Sequence, residues 1–286
     1  MSKVMTNHNI ILTPILLSCI CLLLLTFLSV TSVEAQRDEG TVAGIWTFDD
    51  GTANDTSPQN LNGIVVGKPG SVNGIVGKAL KFNGTSDGIK IPDSNRINTG
   101  GPFPNKTIAA FFNCDDVNKK QKQVIFEEGG RTRGLVVYVF DGKIYGGAWN
   151  RAEAINWQGA WISDDIKSKT WYHLTVVIRN GANKVEKDKL ELWLDGKLVD
   201  TADGGQLFAH GDDNGIGFVN QNAVYHDNGG AGTNIDWFGG LIDEVVIYSS
   251  SFTKTDIEEL VGALDVAPQD KFTTTWANLK AQRTQN

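Results

Sequence analysis

Residues 171–201 read WYHLTVVIRNGANKVEKDKLELWLDGKLVDT, and this stretch decides the fold class. Leu190, Leu192 and Leu194 alternate with Glu191 and Trp193, the two-residue period of a strand with one face on a core. Asp195-Gly196 follows at once, a pair that accepts positive φ in a two-residue hairpin turn, and Leu198 and Val199 open the return strand. Upstream, Tyr172, Leu174, Val176 and Ile178 share one face, while His173, Thr175 and Arg179 share the other. The device recurs where Asp141-Gly142 separates GLVVYVF (134–140) from KIYGGAW (143–149). Two such hairpins predict an antiparallel, all-β fold.

Working outward, strands are expected at 41–48, 61–66, 78–82, 88–91, 107–113, 123–127 and 216–219, and a well-buried one at 239–248 (GGLIDEVVIY). Residues 150–169, which carry Trp157 and Trp161, read as a long connection, and 221–236 as a polar, glycine-rich loop. Helical spacing appears only late. Ile257, Leu260, Val261 and Leu264 fall at i, i+3, i+4 and i+7, with Thr253 or Thr255 placed to cap a short C-terminal helix. Beyond it, 266–286 is polar apart from Phe272, Trp276 and Leu279 and reads as a tail.

Of 286 residues, 32 are Gly and 8 are Trp but only 2 are Met, a composition that suits many short strands and tight turns. The net charge of −7 comes from scattered carboxylates and argues against nucleic acid or an anionic membrane as partner. Residues 1–35 read as a signal peptide, with Lys3, an apolar run from Ile10 to Val30, and Val33-Glu34-Ala35 as the cleavage site before Gln36. The product is therefore expected to be secreted or held at the cell surface, and an uncleaved leader would make a membrane anchor. Cys19 and Cys21 fall in the leader, which leaves Cys114 alone and excludes an intrachain disulfide. One domain is expected over 36–265. Asn54, Asn83 and Asn105 stand in Asn-x-Thr sequons.

Five phrases in series carry a resemblance. GIWTFDDGTANDTSPQNLNGIVV (44–66), GKALKFNGTSDGIKIPDS (77–94), TWYHLTVVIR (170–179), LELWLDGKLVDT (190–201) and FGGLIDEVVIYSSSFTKTDIEEL (238–260) resemble, in order and spacing, the signatures of laminin-G-like jelly-roll domains. These belong to the concanavalin A-like lectin/glucanase superfamily. The resemblance spans roughly 42–264 and implies a sandwich of two antiparallel sheets. It also implies non-catalytic recognition of a carbohydrate or of an extracellular surface protein, because such modules bind these or accompany catalytic domains. A purely structural surface module is a further reading.

The resemblance implies one calcium ion near the paired terminal strands, at positions matching Asp49 and Asp243, with Asp87 as an extra candidate. Asp243 lies between Ile242 and Glu244 in an apolar strand, so one acid must face the core, where a cation would compensate it. Asp212-Asp213-Asn214-Gly215 echoes a calcium loop but lacks the closing glutamate and reads as a solvated turn.

Sugars are bound through flat aromatic faces, which draws attention to Trp157 and Trp161, then Trp149 and Trp237, and to Tyr225, His226 and Asp227 in the long loop. Trp193 shares the polar face of its strand. Glucanases of the superfamily place Glu-x-Asp-x-x-Glu on a strand so that two carboxylates flank the scissile bond. No catalytic pair of that kind is expected here, nor a Gly-x-Ser-x-Gly elbow, and the four His include no His-Glu-x-x-His. The alternative is a polysaccharide hydrolase or lyase with an unrecognised acid pair.

Overall fold

The computed structural model describes residues 41–152 and 155–265. The expected leader and cleavage site and the expected tail, 266–286, lie outside the described residues. No helix among the described residues is long and apolar enough to cross a membrane.

The strands run β1 (Val42–Trp46), β2 (Ile64–Val66), β3 (Gly70–Asn73), β4 (Lys78–Asn83), β5 (Gly88–Ile91), β6 (Lys106–Cys114), β7 (Gln123–Gly129), β8 (Arg133–Phe140) and β9 (Lys143–Asn150). They continue with β10 (Trp157–Asp165), β11 (Trp171–Ile178), β12 (Glu186–Leu194), β13 (Lys197–Gly204), β14 (Asn214–Ile216), β15 (Ala223–Val224), β16 (Gly230–Ala231) and β17 (Gly239–Tyr248). The helix α1 (Lys254–Asp265) ends the described chain. One sheet has the order β13-β12-β11-β6-β17-β4-β3, with β1 also on β17, and the other β10-β9-β8-β7-β14-β5-β2. All pairings are antiparallel.

Both expected hairpins form. Asp195 and Gly196 have φ of 49° and 76°, and Asp141 and Gly142 have 49° and 77°, the mirror-image turn that matches strand twist. They set Leu194 opposite Lys197 and Phe140 opposite Lys143. The register then sends Leu190, Leu192 and Leu194 of β12 and Leu174, Val176 and Ile178 of β11 inward. They meet Leu135, Val137 and Val139 of β8 in one core. Each buried aliphatic side chain of this kind contributes ~1.5–3 kcal/mol relative to exposure.

Each sheet is also covered on its outer face. On the eight-stranded sheet, Ala109, Val177, Trp193 and Val246 pack with Ile257 and Leu260 of α1. The helix starts with a reciprocal cap: Asp256 N–H donates to Thr253 Oγ1 at 3.2 Å, and Thr253 N–H donates to Asp256 Oδ2 at 2.7 Å. Trp193 is therefore no ligand platform. It is 7% exposed and donates from Nε1 to Glu191 Oε2 at 2.8 Å. On the seven-stranded sheet, Val124, Val136, Tyr138 and Trp149 are covered by Val219, Ala223, Val224 and Tyr225.

Four segments differ from expectation. The segment 150–169 contains β10, whose alternation is broken by a bulge between Trp157 and Ala160, where Gly159 has φ of 123°. The segment 221–236 contains the small pair β15 and β16, with Ala223 opposite Ala231. The expected strand at 216–219 lies at 214–216, and β3 is an exposed four-residue strand with no hydrophobic alternation to announce it.

The two layers are bridged by a buried ion pair. Lys106 on β6 and Glu128 on β7 are each fully buried, with Nζ 2.5 Å from Oε1, and Nζ also donates to Ile97 O at 2.6 Å. Burial opposes both charges. It pulls the lysine below its ordinary value, whereas at Glu128 burial is opposed by Lys106 and His210, which together outweigh it, and the carboxyl stays below its own. Removing one partner strands the other charge. Lys106→Met is expected to lower unfolding free energy by ~3–5 kcal/mol. Lys106→Met combined with Glu128→Leu should recover most of that loss in urea unfolding, and a double variant no better than the single would refute the account.

Candidate functional site

β8 and β9 place Tyr138, Phe140 and Tyr145 on the outer face of the seven-stranded sheet, and the 219–236 segment lays Tyr225 and His226 across them. The Tyr138 and Tyr145 rings stack at 5.0 Å and 9°, and His226 stacks on Tyr145 at 4.4 Å and 10°. Tyr225 meets Tyr138 edge-on at 4.8 Å, and Phe140 lies 6.0 Å from His226. Trp161 on β10 covers Gly147, where any Cβ would sit 2.1 Å from the indole, and its Nε1 donates to Val224 O at 3.3 Å.

The tautomer of His226 follows from its partners. Burial pushes the Tyr138 phenol far above its ordinary value, so it keeps its proton. Tyr138 Oη accepts from the His226 backbone N–H at 3.2 Å and lies 2.6 Å from Nδ1, to which it donates. Nδ1 is then the acceptor, and Nε2 carries the proton. Burial also lowers the imidazole pKa, with Asp227 opposing, so the ring is a neutral donor near pH 7.

Polar groups rim the stack. Lys122 Nζ is 2.8 Å from Asp227 Oδ2 and lies over both Phe140, at 4.9 Å, and Tyr225, at 4.7 Å. Tyr225 is 2% exposed and donates to Asp236 Oδ2 at 2.6 Å. Burial raises the Asp236 carboxyl, with this hydrogen bond opposing.

Of the aromatic candidates, Trp161, Tyr225 and His226 thus come together, and Phe140, Tyr145 and His226 are half-buried at the surface. Trp157 does not join them. It is 3% exposed in the inter-sheet core, with Gly204 leaving room for its ring. Tyr138, Phe140 and Tyr145 were missed because alternation reveals which residues share a face but not that a distant loop will cross that face.

The acids separate into two groups. Asp243 sits where the free edge of β17 passes from β4, paired through Ile242, to β1, paired from Val245. Its Oδ2 accepts from Ile75 N–H at 2.9 Å and Val76 N–H at 3.2 Å, while the buried Oδ1 has no hydrogen-bond partner among the described residues. Burial pushes its carboxyl up to about 8, and Asp49 adds to the rise. Asp49 Oδ1 accepts from Lys78 N–H at 3.3 Å. Gly74 and Gly77 face these carboxylates, where a Cβ would lie 2.3 Å from Asp243 Oδ2 and 2.0 Å from Asp49 Oδ1. Two neighbouring carboxylates, one with an unmatched buried oxygen, would suit a hard divalent cation, which needs further oxygen ligands beyond these two. Clusters of three or more His, Cys, Asp or Glu are absent among the described residues. Asp87 is engaged elsewhere. It accepts from Lys68 N–H and Asn83 N–H, near the Asn83–Gly239 pairing, four residues or roughly 13 Å along β17 from Asp243.

Two catalytic strings occur in letter, against expectation, but not in setting. Glu186-Lys187-Asp188-Lys189-Leu190-Glu191 has the glucanase spacing, yet the chain bulges between Glu186 and Leu190 and Asp188 has φ of 55°. Glu186 pairs with Lys184 at 2.9 Å, and Glu191 is buried beneath α1, bound by Arg179 at both oxygens and by Trp193. Gly84-Thr85-Ser86-Asp87-Gly88 has the letters of a nucleophile elbow. It joins two strands instead of a strand to a helix, and Ser86 Oγ accepts from Asn83 Nδ2.

A laminin G family model, described as the concanavalin A-like lectin/glucanases superfamily, matches residues 83–258. No curated protein sequence matches the chain. Among solved structures, domain 4 of AbnA, an extracellular GH43 arabinanase from Geobacillus stearothermophilus in complex with arabinotriose, is similar with a TM-score of 0.56 and 18% identity, over 77% of this chain and 98% of that one. The binding domain of Paraclostridial Mosquitocidal Protein 1 gives a TM-score of 0.61 and 16% identity, over 79% of this chain and 52% of that one. The binding domain of botulinum neurotoxin DC, in complex with rat synaptotagmin II, gives 0.60 and 13%, with the same coverage. The chain spans about half the length of these toxin domains.

The Tyr225–Asp236 bond pins the loop that carries His226. Tyr225→Phe is expected to cost ~1–3 kcal/mol, because the half-buried Asp236 carboxyl loses a partner. Amide exchange at 223–231 should accelerate, whereas an unchanged exchange pattern would show that apolar packing alone holds the segment.

Proposed function

The chain belongs to the concanavalin A-like lectin/glucanases superfamily, and from that premise we propose that it is a non-catalytic, extracellular module that holds a glycan against the outer face of its seven-stranded sheet. The observation that carries this reading is the parallel stack of Tyr138, Tyr145 and His226, open at Phe140, Tyr145 and His226 and rimmed by Lys122 and Asp227. Flat rings take the C–H face of a pyranose or furanose, while the His226 Nε2–H and the charged rim meet its hydroxyls. The arabinotriose on AbnA domain 4 supports a sugar as the ligand class, and the toxin binding domains, one of them in complex with rat synaptotagmin II, support a recognition module in general.

The placement of the acids favours binding over hydrolysis. Glu127 and Glu128 are adjacent, so they project to opposite faces of β7, and both are fully buried. Glu127 Oε1 accepts from Asn220 N–H at 2.7 Å, and burial holds its carboxyl well above its ordinary value. Two carboxyls on opposite sides of one sheet do not flank one bond. Export is supported by the apolar run and cleavage pattern of residues 1–35.

Calcium at Asp49 and Asp243 is part of the same proposal. The ion would supply the charge that the Asp243 Oδ1 lacks and would pin the 74–77 loop at the fork of β17, a structural role without chemistry on the ligand.

Tyr145→Ala should weaken binding to the preferred member of a polysaccharide panel, arabinan included, at least tenfold, with an unchanged circular-dichroism spectrum. Equal binding by the variant, or none by the native protein, would remove the reading. Separately, a chelator should lower the melting temperature of the native protein, because an ion that binds only the folded state adds stability. The same chelator should leave Asp243→Asn unmoved, and a native melting curve indifferent to chelation would exclude the ion.

A further inference from the structure

We propose that His226 is an acid-sensitive latch: a second proton on its ring breaks the hydrogen bond from Tyr138 and loosens the 223–231 segment from the sheet, so that the module releases its glycan as its surroundings acidify. This names a regulation of the aromatic shelf and rests on the reading of that shelf as a glycan site. The 223–231 segment is held to the sandwich by the Tyr138 hydroxyl at His226, by Trp161 at the Val224 carbonyl, 3.3 Å away, and by Lys122 at Asp227. Two hydrogen bonds meet at that one hydroxyl, which lies 2.6 Å from His226 Nδ1 and 3.2 Å from its backbone N.

The neutral ring carries its hydrogen on Nε2, so an added proton goes to Nδ1, the atom that accepts from Tyr138. Two hydrogens cannot share that line. The phenol would have to turn its own hydrogen away and accept from the ring as well as from the backbone N–H. Tyr138 is 0% exposed and its hydroxyl bonds to His226 alone among the described residues, so the turned hydrogen would be buried without an acceptor. Nor can the phenol give that hydrogen up, because burial raises its proton affinity.

Burial is the largest influence on the ring and holds it below the ordinary histidine value. Asp227, on the same segment, and the stacked face of Tyr145 favour an imidazolium. The Asp227 carboxylate is held at 2.8 Å by Lys122, whose own charge opposes a second cation. From β8 the ring meets the uncharged Tyr138 and Phe140, and Lys143 of β9 is tied to Asp165. A ring that resists its proton only while the segment is closed stabilises the closed form above the ordinary value, ~6.5. That contribution is lost as pH falls below ~6.5, and the loss is complete once pH passes the closed ring's own, lower value.

The test is amide exchange on the whole chain at pH 7.5 and at about pH 5, read as protection factors, which divide out the intrinsic pH dependence of exchange. Protection at 223–231 should fall roughly threefold or more on acidification. His226→Asn, whose Oδ1 can accept from Tyr138 but takes up no proton, should keep that protection level between the two conditions. A flat native profile would overturn the latch, and an equal fall in His226→Asn would assign the opening to another titrating group. In parallel, the affinity of the native protein for its preferred polysaccharide should fall by a like factor, and a segment that opens while affinity holds would break the link between latch and ligand. Binding of no polysaccharide at pH 7.5 would sink the glycan reading alone, since the exchange profile still decides the latch.

Discussion

The hydroxyl of Tyr138 joins the sandwich to the segment that carries the candidate site. It accepts from the backbone of His226 and donates to the ring of the same residue, from a side chain that is itself 0% exposed in the outer layer of β8. A buried phenol without those two partners would be costly, so the sheet demands a cover that brings a backbone N–H and a basic nitrogen to one point. His226 supplies both. Once it is fixed, Tyr145 has a ring to stack on, Tyr225 fits edge-on, and Trp161 finds the Val224 carbonyl. The aromatic shelf is thus a consequence of covering an apolar outer face, not an addition to it.

The same logic explains what the sequence made legible. Asp195-Gly196 and Asp141-Gly142 announced their hairpins because the turn chemistry is local and the leucine alternation on β12 fixes which face is buried. The helix was readable from spacing and its Thr253 cap. The strand β10 was not, since Gly159 inserts a bulge that shifts the alternation between Trp157 and Trp161 and sends one to the core and the other to the outer face. The pair β15–β16 is too short to carry a period. Trp193 shows the limit of alternation in another way. Alternation assigned it correctly to the face shared with Glu191, but that face is covered by α1, so a polar-looking strand face proved to be a second, smaller core.

Site residues were legible only where one short segment held several of them. Tyr225 and His226 are neighbours in a loop rich in polar and glycine residues, which flagged the place. Their ring partners come from 80 or more positions away, as the separation of 88 between Tyr138 and His226 illustrates. The hydrogen bond from Arg133 to the Ala209 carbonyl has the same character. Arg133 and Ala209 are 76 positions apart, and only the sheet order brings β7, β8 and the approach to β14 to one end. A single chain read without its pairings cannot expose such junctions, because each half looks like an ordinary turn.

Buried carboxylates give the remaining argument about chemistry. Four of them are compensated in four ways: Glu191 by a guanidinium and an indole, Glu128 by an ammonium, Glu127 by a raised proton affinity and the Asn220 amide, and Asp243 by loop amides on one oxygen only. Their positions follow the needs of the layers, one on the outer face of each sheet, one between them and one at the fork of β17. A hydrolytic pair requires two carboxyls of different proton affinity facing across one open groove. Here the differences in proton affinity exist, but each belongs to a separate structural junction, sealed from ligand by the packing that caused it. What remains accessible at the surface of the seven-stranded sheet is rings and a hydrogen-bonding rim, the groups on which the proposed glycan reading rests.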